Sequence, residues 1–350
     1  MTPLLPAVRQ RPAVGVAMVL CSATLFAVNG TASKLILRAG VDPPRLTTLR
    51  ATGACLGLLL LSAMVPPGGR RLRVTRRELP LLFGYGIAGF FLVPMLYFVG
   101  IGRLPVGISL LFEFTAPMFI ALWIRFGRRQ PVRPRLWVGL AASLAGLAGV
   151  AEIWHTSGWS GRALPGRAAG AHLDPLGVAA ALAAAVLLAL YYVLGAHGVT
   201  RRDPLSLTSW AFGVAAVAGS LVRPWWSFPY HVFVTSSGGV PVWLLALYLV
   251  CGGSIAPFLL SAAALRHLPP TSVGIIAMVE PVVASAVAWT VLGERLAPVQ
   301  LAGGALVLFG VALAETARTV GPAGASPAST PAGEPAGEHT AEQEVPCIPT

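Results

Sequence analysis

Two carboxylates stand where an apolar segment should carry none. Glu113 lies in LFEFTAPMF and Glu280 in AMVEPVVAS, each well inside an apolar run long enough to cross a bilayer. Inserting such a residue at the centre of a span costs on the order of 2–3 kcal/mol or more, so it should face a bundle interior, and it is a functional candidate by default. A carboxyl kept from water can be neutral in one state and charged in another, which suits proton coupling or recognition of a cationic substrate. A protonated glutamate that merely bridges two helices is the structural alternative. A proline follows each carboxylate, Pro117 and Pro281. Each removes a backbone hydrogen bond, which kinks the helix and leaves a carbonyl available to a ligand or water. The other acidic residues fall in loops, at span ends or in the C-terminal tail.

Weaker candidates are polar or aromatic residues within spans: Asn29, Tyr97, Tyr191, Tyr192, Trp210, Ser254 and Trp289. They could line a cavity and stack on a substrate or cation, or they could simply pack. Trp225 and Trp226 at a span end read as interface anchors. Lys34, the sole lysine, reads as a side chain that snorkels to the interface. Cys21, Cys55, Cys251 and Cys347 have no paired spacing and read mainly as buried small hydrophobes. The six histidines lie at span ends, in loops or in the tail, without metal-ligand spacing. No metalloprotease, nucleophile-elbow or phosphate-loop motif occurs, so no enzyme activity, cofactor or metal is expected. Transport without an ATP-binding motif would be driven by gradients.

These residues need a membrane scaffold to position them. The 350-residue chain is 55% hydrophobic and 11% charged, with a mean hydropathy of +0.74. Soluble domains carry about 25% charged residues. The net charge of +12 comes from arginine clusters between apolar runs, the pattern of membrane loops and not of a nucleic-acid-binding module. Apolar runs at 14–36, 46–65, 79–100, 105–126, 135–153, 174–196, 204–223, 241–264, 270–292 and 297–316 predict an all-α integral membrane protein with ten transmembrane helices. The first run has no cleavage site and reads as a retained helix. Residues 1–13 form an N-terminal tail, 154–173 a linker, and 317–350 a disordered Ala/Pro/Gly-rich tail. Two loops with five arginines each, one from Arg70 to Arg77 and one from Arg125 to Arg135, put both termini in the cytoplasm. Arg45 and Arg50 are assigned to the first outer loop.

The chain also repeats. An offset of 164 residues lays 101–149 on 265–313 without a gap. Pro105 falls on Pro269, Pro117 on Pro281, Pro134 on Pro298, Gly139 on Gly303 and Gly146 on Gly310. Five helices is an odd number, so two such copies, 14–153 and 174–316, enter the membrane in opposite orientations. Inverted repeats of this kind typify secondary transporters. Small residues at Gly139, Ser143 and Gly146, and at Gly303, Gly304 and Gly310, predict close packing of the fifth helix on the tenth. The carboxylates break the repeat: Glu113 has Ala277 opposite it, and Glu280 has Ala116.

This pattern resembles the EamA-type transporters of the drug/metabolite transporter superfamily. The carrying residues are Glu280-Pro281 and Gly293-Glu294 in the second copy, Pro117 in the first, and FAVNGTASKL at 26–35, with Phe26 where the family usually has tryptophan. The first copy shows Arg129-Gln130 in place of the Gly-Glu pair. The resemblance implies a multi-pass carrier of the cytoplasmic membrane for small metabolites, often an exporter of amino acids or related compounds. Its partners would be a small-molecule substrate and the lipid bilayer, not nucleic acid, with a homodimer left open. Two other readings stand beside it. One is a carrier or flippase for lipid or lipid-linked substrates, and the other a non-transporting scaffold or sensor that docks through its tail.

Overall fold

The computed structural model describes residues 11–64, 74–127, 129, 134–151, 173–199, 204–264, 266–268 and 270–318. Proline sets where most helices begin. Helices α1 (Pro12–Arg38), α2 (Pro43–Met64), α5 (Pro134–Ala151), α6 (Pro175–Val199), α7 (Pro204–Val222) and α10 (Pro298–Arg318) all open on one. At that position its missing N–H costs nothing and its fixed φ already suits the helix. Almost all of the linker and of both tails lies outside the described residues. The few tail residues that are described are 11–13 and 317–318, and all but Arg11, which caps α1, belong to α1 and α10.

The remaining four helices are interrupted. In α3 (Leu79–Arg103), a wide π-type turn at Gly86–Leu92 precedes Pro94. In α8 (residues 242–264), a similar turn at Cys251–Ile255 precedes Pro257. Helix α4 (Val106–Gly127) ends its first piece at Glu113 and restarts at Ala116. Helix α9 (residues 270–292) ends its first piece at Ala277 and restarts at Glu280. Pro117 and Pro281 cause these last two breaks, because neither can donate to the carbonyl four residues back. The breaks are separated by the 164 residues of the sequence repeat.

Eight of the described helices are long and apolar enough to cross a membrane. Two further apolar helical stretches, Pro134–Val150 of α5 and Pro298–Leu313 of α10, accompany them among the described residues. The exterior is apolar, with Leu60, Leu221 and Phe309 well exposed. Cys21 and Cys251 are also exposed, so these two are not the buried hydrophobes expected of them; Cys55 is half-buried.

Helices α5 and α10 meet backbone to backbone. A Cβ on Gly146 would come within 2.6 Å of the Gly303 carbonyl oxygen, and one on Gly303 within 2.7 Å of the Gly146 carbonyl oxygen. Seven residues along, Gly310 meets Gly139 in the same way at 2.5 Å. Between them, the Ser143 hydroxyl donates to the Val307 carbonyl at 3.4 Å. Contacts that rise along α5 fall along α10, so the two helices run antiparallel.

One end of the bundle gathers the ion pairs among the described residues. Arg103 pairs with Asp174 at 2.7 Å, and Arg223 with Asp42 at 3.6 Å. The Arg103 guanidinium, helped by the Leu176 N–H, holds the Asp174 carboxyl below its usual range. A short hairpin, Ser236–Ser237 with Val240–Pro241, closes the same end, turning on Gly238 and Gly239 at φ +59° and +76°. The Ser237 hydroxyl donates to the Leu35 carbonyl at 2.9 Å. Trp225 stacks on Phe228, and its indole N–H donates to Ser220. It therefore belongs to this cap, whereas Trp226 stands exposed as an anchor would.

Candidate functional site

The breaks in α4 and α9 face one another across a cavity of ≈ 700 Å³. Glu113, the last residue before the α4 break, and Glu280, the first after the α9 break, both line it. Their repeat counterparts Ala277 and Ala116 line it too, so each carboxylate has a methyl group at the equivalent place in the other half. The two carboxylates are close enough to interact electrostatically. Pro117 is on the wall, while Pro281 is buried away from it.

Asn29, Tyr97, Tyr191 and Tyr192 complete the part of the wall that sequence reasoning singled out. Two of them sit against the wide turns. Tyr191 of α6 lies on Gly89 in α3, and Asn29 of α1 lies on Gly253 in α8, each so close that a Cβ on the glycine would collide. Gly89 and Gly253 are themselves 164 residues apart. The turns thus open equivalent notches that seat a cavity side chain from the other half. Tyr191 also stacks on Tyr85 at 4.9 Å between ring centroids, and Phe90, Phe212 and Phe258 extend that aromatic cluster.

Three further expected residues lie elsewhere. Trp289 and Trp210 are 59% and 38% exposed and do not line the cavity, because their helices turn these faces outward. Ser254 is fully buried just behind the wall, where its Oγ accepts a hydrogen bond from Arg50 Nε at 2.9 Å and donates to the Leu249 carbonyl.

Arg50 is the residue that sequence reasoning misplaced. It is not in an outer loop: it is 7% exposed and lines the cavity. Helix α2 starts at Pro43, so Arg50 stands about 10 Å along it. Its guanidinium carbon lies 5.7 Å from the centroid of the Phe212 ring, a cation–π geometry. It interacts electrostatically with Glu113.

Lys34 differs from expectation as well. It does not snorkel: its ammonium pairs with Glu294 Oε1 at 2.6 Å and donates to the Leu104 carbonyl at 2.6 Å. Glu294 Oε2 accepts the Val106 N–H at 2.9 Å. Gly293, left-handed at φ 71°, stops α9 and turns the following glutamate back to this position. One ion pair thereby ties the end of α1 to the end of α9 and to the α3–α4 connection.

Residues 13–151 and 175–316 match the EamA-like transporter family. The threonine/homoserine exporter RhtA of Escherichia coli (strain K12) is 30% identical over 289 residues, which cover 79% of this chain and 84% of the relative. RhtA of Salmonella typhimurium (strain LT2) is 29% identical over 271 residues, 75% of this chain and 78% of its own. An uncharacterized transporter of Archaeoglobus fulgidus is 25% identical over 303 residues, 86% of this chain and 96% of its own. A crystal structure of a protein 20% identical to this one aligns with a TM-score of 0.57 over 88% of this chain and 98% of that one, a likeness of fold alone. Apolar helices around a charged internal cavity, with these relatives, define an integral membrane transporter and not an enzyme. The chain belongs to the EamA-like transporter family.

Proposed function

We propose that this chain is a secondary exporter of a small amino acid or related metabolite, working by alternating access in the cytoplasmic membrane. The observation that carries the reading is the cavity between the α4 and α9 breaks, with Glu113 and Glu280 both on its wall. The substrate class follows from the relatives, which are named as exporters of threonine and homoserine.

The mechanism rests on two inverted five-helix repeats, residues 14–153 and 174–316, joined by a linker at 154–173. Three observations support it. The α5–α10 contacts are reciprocal: Gly146 meets Gly303 as Gly310 meets Gly139, the relation a two-fold axis perpendicular to antiparallel helices would produce. The breaks and the wide turns recur at the repeat offset. The notches at Gly89 and Gly253 seat side chains crosswise from α6 and α1. Rocking one half against the other would expose the cavity to either face in turn. The arginine-rich loops orient both termini to the cytoplasm.

The test is metabolite profiling of medium from a strain overexpressing the chain against one lacking it. The reading predicts that threonine, homoserine or a close relative accumulates outside the overexpressing cells. Unchanged extracellular amino-acid pools under both threonine and homoserine loading would sink it.

A further inference from the structure

Arg50 is a permanent cation set into the cavity wall. Its Nε is held by Ser254, and one face of its guanidinium lies over Phe212. Among the described residues no carboxylate comes within ion-pair distance of it. A buried charge without a close counter-charge is costly, and a guanidinium matches a carboxylate with two parallel hydrogen bonds. Glu113 and Glu280 line the same cavity from α4 and α9. The wall therefore offers one cation from α2 and two carboxylates from the opposite helices, a pattern complementary to a molecule carrying both charges.

We infer that Arg50 is the receptor for the substrate's carboxylate, positioned by Ser254, and that the transported class is the zwitterionic α-amino acid, with its ammonium group facing Glu113 and Glu280. This rests on the exporter reading above and deepens it. The wide turn at Cys251–Ile255 belongs to this device, because it directs Ser254 at the guanidinium. Phe212 blocks one face of Arg50, leaving the edge that bears the terminal nitrogens for a planar anion.

The experiment uses the full-length protein, purified and reconstituted, with threonine and threonine methyl ester as probes. Two readouts are taken: competition for threonine transport in proteoliposomes, and thermal stabilisation of the purified protein. The free acid should compete and stabilise, and the ester, which keeps the ammonium but lacks the anion, should be about tenfold or more weaker in both. Arg50→Gln should raise the threonine KM at least about tenfold and abolish the preference for acid over ester, with Arg50→Lys recovering part of it. Ser254→Ala should raise KM by a smaller factor and leave the preference in place. An ester as effective as the acid on the unaltered protein overturns the inference even if every variant misfolds. So does an Arg50→Gln protein that still prefers the acid, or a protein stabilised by neither probe. If the unaltered protein prefers the acid in the stabilisation assay yet transports no amino acid, the exporter reading falls and the receptor stands.

Discussion

A buried charge in a membrane protein has to be paired or used, and the pairing is direct at the end of α1. Lys34 and Glu294 are paired, at 2.6 Å, with side chains 10% and 12% exposed. Breaking such a pair from one side strands the other charge, at a cost of roughly 3–5 kcal/mol. Lys34→Met should therefore lower the thermal unfolding midpoint of the detergent-solubilised protein sharply. Lys34→Met combined with Glu294→Met should regain part of the loss, and a double variant worse than the single would refute the pairing. Glu113 and Glu280 stood out in the sequence because nothing nearby along the chain explained them. Arg50 did not, because with Arg45 close by and the apolar run read from residue 46 it looked like loop charge. Only Pro43, by starting the helix early, puts Arg50 two turns deep. The Lys34–Glu294 pair was illegible for a different reason: its partners lie 260 positions apart, and nothing local brings them together.

At the scale of elements, proline and glycine set the architecture. Prolines start most of the helices and break α4 and α9, and the two breaks were legible because they follow from a missing N–H. The shared offset of 164 carried the close approach of α5 and α10 as well, since matched small residues mark where two helices can touch. The wide turns in α3 and α8 escaped the sequence reading, because a π-type turn has no composition of its own. In retrospect, their signal is a glycine a few residues ahead of a proline in both halves, Gly89 with Pro94 and Gly253 with Pro257. Gly303→Leu would push a side chain into the backbone of α5, and overpacking of this kind costs about 1–3 kcal/mol. Gly274→Ala, where nothing lies within 4 Å of the added carbon, should be neutral or stabilising by up to about 1 kcal/mol. Thermal unfolding of both variants checks this, and equal effects would mean that α5 and α10 do not pack as described.

At the scale of the whole molecule, orientation and access govern function. The ends of α1, α3, α7 and α9 meet where Asp42, Glu294 and the hairpin lie, as expected of helices that all cross in the same direction. The topology proposed above, with both termini in the cytoplasm, puts that end on the outside. On a background with the native cysteines replaced, Trp226→Cys should react with an impermeant maleimide in intact cells. Arg129→Cys should react only after permeabilisation, and the reverse pattern would invert the topology. Trp289→Ala, at a surface turned away from the cavity, should leave transport unchanged.

The central claim is that substrate crosses through the cavity that Glu280 lines. It is tested most directly by the initial rate of radiolabelled threonine and homoserine movement in proteoliposomes, comparing the unaltered chain with Glu280→Gln, whose shape is nearly the same. The account predicts gradient-driven movement of at least one of the two by the unaltered protein, and a fall of about tenfold or more in Glu280→Gln protein that folds normally. Equal rates for the two proteins would contradict it.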